Sequence, residues 1–154
     1  MECNHTWTKP ADIGYMTFKN IVNDFKLVLL ELEKKGVILA GYDGTGDARI
    51  DYAEIKFNGL KCQGSCDTFR FRRIETTEIS STIGTSSILI KHSSACKTRC
   101  GPYDIVVIAF LIVAKKHLGD QMTVKFEGPN VFYAKLLCEM LLDYGLDFKV
   151  DGSN

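Results

Sequence analysis

An uninterrupted apolar run, IVVIAFLIVA over residues 105–114, constrains this chain more than any other feature. Pro102 suits the first helical turn before the run, and Lys115 and Gly119 suit its last turn and cap, so we predict a helix rather than a strand. The run is about half as long as a membrane-spanning helix needs to be. A helix that is apolar on every side is a buried one, and we expect it inside a globular core.

Length and composition fit one domain built around that helix. The chain has 154 residues, of which 45% are hydrophobic and 25% charged, and this composition excludes wholesale disorder. Its 19 basic and 19 acidic side chains give a formal charge of zero. A neutral chain argues against a protein that coats nucleic acid or an acidic membrane surface. We expect a single domain over residues 1–154 and no membrane partner.

The amino-terminal segment, MECNHTWTKPADIG, lacks the charged start and apolar stretch of a secretion signal. We therefore expect the chain to stay in the cytoplasm, where thiols are kept reduced. On that expectation its six cysteines are free or bind a metal ion.

An amphipathic helix is predicted near the amino terminus. Apolar side chains recur at three- and four-residue spacing from Phe18 to Leu32. Thr17 is the expected N-cap, and Gly36 lies just past the end.

A third helix is predicted over residues 129–145. Three of its few polar side chains, Lys135, Glu139 and Asp143, form one narrow stripe at four-residue spacing. So thin a polar face predicts that this helix is mostly buried.

Strand patterns occupy the remaining segments. Residues 37–42 and 48–59 are predicted to form strands joined by a Gly/Asp-rich turn, and the broken alternation between Tyr52 and Ile55 favours a bulge near Ala53. Residues 67–74, DTFRFRRI, alternate phenylalanine with arginine and predict a strand that pairs with its predecessor. Further strands are predicted at 87–91, 122–128 and 147–151, an exposed loop at 75–87, a turn-like stretch after residue 91, and a frayed tail at 152–154.

This element order predicts an α+β fold in which three helices pack on a mixed sheet of about five to six strands. The amino-terminal half favours antiparallel hairpins. The carboxyl-terminal half has the order β-α-β-α-β, which favours right-handed parallel crossovers.

Two C-x3-C pairs are the strongest candidates for chemistry: Cys62 with Cys66, and Cys96 with Cys100. Four thiolates presented by two turns can hold a structural zinc ion tetrahedrally. The alternative is that all four are ordinary reduced cysteines, a residue type that is often buried. Further candidate ligands are His92, Cys3 and His5.

Cys100 is also a candidate nucleophile. It precedes the predicted helix start, and Lys97 and Arg99 flank it; both features favour a thiolate. A cysteine enzyme also needs a base such as His92 or His117 within hydrogen-bond reach. The chain carries none of the common hydrolase, metalloprotease, deaminase or kinase signatures, and we lean towards a protein that is not an enzyme.

Three carboxylates gather in the Gly/Asp-rich turn and just after it: Asp43, Asp47 and Asp51. They are candidate ligands for Mg²⁺ in a small phosphohydrolase or nuclease. The alternative, which we favour, is a structural turn in which glycine and aspartate adopt positive φ.

Positive charge concentrates in residues 56–100, which hold eight basic and three acidic side chains. Arg70 and Arg72 are predicted to share one strand face, with Arg73 nearby, and to bind a phosphate-bearing ligand or an acidic protein surface. A solvated strand face is the alternative. The other candidate binding residues are Lys91, Lys97 and Arg99.

The segment GVILAGYDGTGDARIDYAEIKFNG, residues 36–59, resembles a hairpin of small proteins from bacteriophages and other mobile elements. The resemblance implies an accessory protein that binds a host macromolecule or a small signalling ligand.

Three hypotheses follow. The first is a non-enzymatic binding protein that presents its basic strand face to an acidic partner. The second is a zinc-stabilised nucleic-acid-binding module, and the third is a small metal-dependent phosphohydrolase or nuclease.

Overall fold

The computed structural model describes residues 2–62, 64–75 and 90–144. In these ranges three helices and seven strands form a single α+β domain, which confirms the predicted fold class. The helices are α1 (Tyr15–Lys34), α2 (Asp104–Leu118) and α3 (Val131–Leu142). The strands are β1 (Asn4–Pro10), β2 (Leu39–Ala40), β3 (Arg49–Ile50), β4 (Glu54–Gly59), β5 (Phe69–Arg72), β6 (Lys91–Lys97) and β7 (Thr123–Lys125).

The strands form two antiparallel sheets. In the first sheet, β1 lies between β6 and β7. In the second, β4 is central: Ile55 lies opposite Ile50 of β3 on one edge and opposite Phe71 of β5 on the other. β2 pairs with the end of β4. The predicted pairing of β5 with its predecessor is confirmed.

The strand pairing differs from the predicted single mixed sheet in two respects: the strands form two separate sheets, and neither sheet contains a parallel pair among the described residues. β6 and β7, which α2 connects, run in the same direction, but they are not neighbours because β1 lies between them and is antiparallel to both. Every strand pair among the described residues is therefore antiparallel. The sequence pattern predicts no element at β1, because its inward side chains mix polar and apolar types. His5, Trp7 and Lys9 are all buried.

The first two helices agree with their patterns except at one cap. Gly14, not Thr17, precedes α1, and no side chain caps that helix end. Gly36 follows α1 with φ of 99°, a left-handed conformation that glycine adopts without strain. Gly119 ends α2 as predicted, and within the described ranges no helix combines the length and apolarity that crossing a membrane requires.

One core lies between the helices and both sheets. α1 and α3 both pack against α2, whose apolar run is fully buried except for Ile105. Phe110 of α2 contacts Phe71 of β5 edge-on, with ring centroids 4.9 Å apart. The ring centroids of Trp7 in β1 and Phe69 in β5 are 5.3 Å apart. These aromatic contacts join the two sheets. Aromatic pairs are strong core contacts because each ring buries a large apolar surface and the rings meet in favourable geometries.

α3 is less buried than its composition predicts. Val131, Ala134, Leu137 and Cys138 face the core, but Phe132 is 66% and Met140 76% exposed. The prediction of a mostly buried helix is wrong, because an apolar composition does not show whether a second element covers the outer side.

Two local predictions need correction. The broken alternation at residues 52–55 is a tight turn rather than a bulge: the chain reverses between β3 and β4, and Asp51 Oδ1 accepts the backbone N–H groups of Ala53 and Glu54, each at 2.9 Å. The turn-like stretch after residue 91 is strand β6. Residues 76–87 of the predicted loop, most of the 87–91 strand, the 147–151 strand and the 152–154 tail lie outside the described residues.

A buried carboxyl group ties three parts of the fold together. Asp104, at the start of α2, is fully buried and accepts a hydrogen bond from His5 Nε2 of β1 at 2.7 Å. Thr98, after β6, donates to the same oxygen, and Asn130, before α3, donates to the other at 2.8 Å. His5 Nδ1 accepts the backbone N–H of Glu127 at 3.3 Å, so Nε2 carries the proton that Asp104 accepts.

We expect Asp104→Asn to lower the free energy of unfolding by about 3 kcal/mol, because the amide keeps only one accepting oxygen and turns a buried N–H2 donor toward a group that donated to the carboxylate. Urea denaturation at neutral pH measures this change. Asp120→Asn, at an exposed site, is the matched control and should change stability by less than about 0.5 kcal/mol. Equal stability of the two variants would contradict the structural role of Asp104.

Candidate functional site

The outer surface of the second sheet carries a group of basic side chains. Because strand residues alternate between faces, Phe69 and Phe71 point into the core while Arg70 and Arg72 point outward. Arg49 lies opposite Lys56, and Lys56 lies opposite Arg70, so three cations form a row across β3, β4 and β5. Arg73 follows directly on β5. We call these residues the arginine face: Arg49, Lys56, Arg70, Arg72 and Arg73.

Glu54 holds three of these arginines in place. Its side chain is only 7% exposed, and its carboxylate accepts from Arg49 Nη1 at 2.6 Å, Arg70 Nε at 2.5 Å and Arg72 Nε at 3.3 Å. Arg49 also donates from Nε to Asp51 at 2.7 Å. The side chains of Arg49 and Arg70 remain 51% and 47% exposed. One carboxylate therefore orients three guanidinium groups that still reach the surface.

The charges of the face shift the acidity of its carboxyl groups. Burial raises the pKa of Glu54, but hydrogen bonds from Arg70 and Arg72 outweigh it, and the pKa lies below its ordinary value. At Asp51 burial also raises the pKa, and the hydrogen bonds from Arg49 and from two backbone N–H groups lower it further than burial raises it. Both groups are held as carboxylates at neutral pH.

Arg73 closes one end of the face. Its Nη1 donates to the backbone oxygen of Ile13 at 3.0 Å. A concavity of about 170 Å³ lies beside it, lined by Arg49, Ala53, Glu54, Arg72, Arg73 and Ile74. A planar guanidinium presents several donors in a fixed fork, so this arrangement can hold a carboxylate or a phosphate group.

The structure brings together only part of the predicted basic set. Lys91, Lys97 and Arg99 belong to β6 and the turn after it, in the other sheet. Lys91 Nζ donates to the backbone oxygen of Gln121 at 3.2 Å, and Lys97 forms an ion pair with Glu2 at 2.9 Å. Sequence analysis missed Arg49 as a member of the face. The sequence signal that could have identified Arg49 is its position beside the apolar Ile50, in a strand that pairs with β4.

The two C-x3-C pairs do not converge. Cys100 forms a disulfide with Cys3, and Cys62 forms one with Cys66, whereas Cys96 is a buried free thiol. The pairing of β1 with β6 places Asn4 opposite Lys97 and thereby brings Cys3 beside the turn that holds Cys100. Among the described residues no group of three or more His, Cys, Asp and Glu side chains is placed to hold a metal ion.

The candidate nucleophile, Cys100, and the candidate bases, His92 and His117, each have another partner. The sulfur of Cys100 is bonded to Cys3 and is not a thiolate here. His117 Nε2 lies 2.7 Å from Asp24, and His92 Nε2 lies 3.7 Å from Glu75. Each of these candidate bases is thus placed against a carboxylate.

The Gly/Asp-rich turn is structural. Asp43, Gly44 and Gly46 have φ of 56°, 85° and 71°, which is the conformation expected for a turn of this composition. Asp43 Oδ1 accepts the backbone N–H of Gly64 at 2.9 Å. Asp51 is engaged with Arg49 and the β3–β4 turn, so Asp43 and Asp51 serve separate contacts.

Comparisons of the chain with protein-family models, with curated proteins and with solved structures each found no match. The chemistry of the arginine face itself is therefore the basis for a function.

The cysteine pairing predicts a thiol titration. In protein purified without reductant, we expect no rapidly reacting thiol in the folded state, because Cys96 and Cys138 are buried and burial raises the pKa of each to about 12. Two thiols should appear on unfolding, and all six after reduction. More than two thiols after unfolding without reductant would contradict the two disulfides.

The ion pairs of Glu54 predict how stability depends on pH. A carboxyl whose pKa is lowered on folding stabilises the fold above its unfolded value, and that stabilisation is lost as pH falls through the folded pKa. We expect Glu54→Gln to lower the free energy of unfolding by roughly 1 to 2 kcal/mol at pH near 7. In acid below the ordinary value of 4.5, the difference from wild type should shrink towards zero.

Urea denaturation at a series of pH values measures this difference. Glu33→Gln on the exposed side of α1 is the matched control and should not alter the pH profile. A Glu54→Gln difference that stays constant from neutral to acid pH would show that the charge of Glu54 is not what stabilises the face.

Proposed function

We propose that this protein is a non-enzymatic binding protein whose arginine face binds an acidic surface on another protein. The observation that carries the proposal is the arrangement around Glu54, where one buried carboxylate orients three arginines that stay partly exposed. Arginine held in this way has already lost part of its side-chain freedom, so binding a carboxylate costs less entropy.

The surroundings of the face favour a protein partner. Tyr42 is 66% exposed, and Lys56 Nζ lies 5.3 Å from its ring centroid. Arginine and tyrosine are enriched among residues that contribute most to protein interfaces. A continuous phosphate backbone fits less well, because Glu54 and Asp51 interrupt the positive charge and the whole chain has no net charge.

The segment that resembles small bacteriophage and mobile-element proteins contributes to this face. Residues 36–59 form β2, β3 and β4 and supply Arg49, Glu54 and Lys56. The resemblance implied an accessory protein that binds a host macromolecule, and our proposal extends that role to the face these strands build.

The test must remove positive charge without leaving Glu54 unpaired. We compare Glu54→Gln alone with the triple variant Glu54→Gln, Arg70→Gln, Arg72→Gln, using fluorescence anisotropy with an aspartate- and glutamate-rich peptide as the probe. Glu54→Gln should bind the peptide somewhat more weakly than wild type, because an uncharged amide orients the three arginines less firmly than the carboxylate does. The triple variant should bind the peptide at least about tenfold more weakly than wild type does, which corresponds to a loss of roughly 1.4 kcal/mol in binding free energy.

Two controls make the result specific. Lys34→Gln with Lys125→Gln removes two exposed positive charges outside the face and should leave peptide affinity unchanged. A single-stranded oligonucleotide serves as the second probe. Tighter binding of the oligonucleotide, lost in the triple variant and falling steeply with salt, would replace our proposal with nucleic-acid binding. Equal peptide affinity of all variants would overturn it.

A further inference from the structure

We propose that a second copy of this chain packs on the outer side of α3, so that two α3 helices form an antiparallel pair about a twofold axis. Four neighbouring side chains give that side its apolar character. Phe132 is 66%, Tyr133 42%, Leu136 36% and Met140 76% exposed. We call these four residues the α3 outer face.

The α3 outer face is a continuous row rather than scattered surface residues. Phe132, Leu136 and Met140 follow one another at four-residue spacing, and residues with that spacing are neighbours on one side of a helix. The opposite side of α3 is already used, because Ala134, Leu137 and Cys138 pack into the core. Contiguous apolar surface of this kind marks an interaction site more often than isolated exposed residues do.

The row is self-complementary, which is the requirement for a twofold interface. Leu136 lies midway between Phe132 and Met140 along the helix. When two such helices lie antiparallel with Leu136 near the axis, Phe132 of each copy faces Met140 of the other. A large aromatic ring then packs against a flexible thioether side chain, which is a favourable contact.

Charge supports the same arrangement. Lys135 and Glu139 are half-buried and flank the row on one side, four residues apart. The twofold axis keeps this flank on the same side of both helices but makes the two helices run in opposite directions. Lys135 of each copy therefore lies near Glu139 of the other copy, which gives two such pairs. The chain's formal charge of zero adds no long-range repulsion between copies.

The expected dimer is weak. α3 has 12 residues and is therefore about 18 Å long, so the helix pair alone falls below the area of a standard stable interface. We expect a dissociation constant on the order of 10 μM or higher.

Analytical ultracentrifugation of the full chain from about 1 to 500 μM tests the proposal. Wild type should shift from monomer to dimer over this range, and Met140→Lys should remain monomeric throughout. Leu27→Lys on α1 is the matched control, because Leu27 is also exposed, at 54%, and its substitution should leave dimerisation unchanged. Circular dichroism checks that each variant folds.

A charge swap tests the pairing directly. Lys135→Glu and Glu139→Lys should each weaken dimerisation at least threefold by placing like charges together, and the double variant should restore it. Failure of the double variant to restore association would overturn the antiparallel pairing. A wild-type chain that stays monomeric at all concentrations would overturn the dimer.

Discussion

The fold depends on the buried carboxyl group of Asp104. A polar group without access to water is stable only when its hydrogen bonds are satisfied inside the protein, and those of Asp104 come from three separate segments. His5 fixes the start of β1, Thr98 fixes the turn after β6, and Asn130 fixes the approach to α3. The disulfide between Cys3 and Cys100 adds a covalent link at the same place. Together they hold β1 as the central strand of its sheet.

This central strand allows one core to serve both sheets. Trp7 of β1 contacts Phe69 and Phe71 of β5, and both phenylalanines also pack on Phe110 of the buried helix α2. Because side chains of a strand alternate, burying Phe69 and Phe71 forces Arg70 and Arg72 to the opposite surface. The outward direction of Arg70 and Arg72 thus follows from the packing of the aromatic residues behind them.

The two proposed surfaces would act together. In our proposals the arginine face binds an acidic partner and the α3 outer face joins two copies, so each dimer would carry two arginine faces. When a partner presents two acidic patches within reach, the second contact becomes intramolecular and raises the overall affinity without any new kind of interaction. Weak dimerisation would then make binding depend on the concentration of the chain.

Local patterns in the sequence determined the helices and the strand of alternating phenylalanine and arginine. The apolar run of α2, the spacing in α1 and the glycines after each are signals within a few residues, and the structure has these elements where the patterns place them. Sequence also identified Arg70 and Arg72 as outward side chains of one strand. These features depend on neighbours along the chain, which a single sequence displays.

Only the tertiary structure decided which distant segments meet. β1 gave no clear pattern because its buried side chains include His5 and Lys9, which are acceptable inside only when Asp104 and Glu75 lie beside them. The partner of Cys100 is 97 residues away. The role of Glu54 depends on Arg72, which lies opposite it on β5, on Arg70, which lies opposite Lys56, and on the β3–β4 turn. Such contacts are set by how whole elements pack. The exposed side of α3 is a second feature that the sequence did not predict, because composition alone does not reveal what covers a helix.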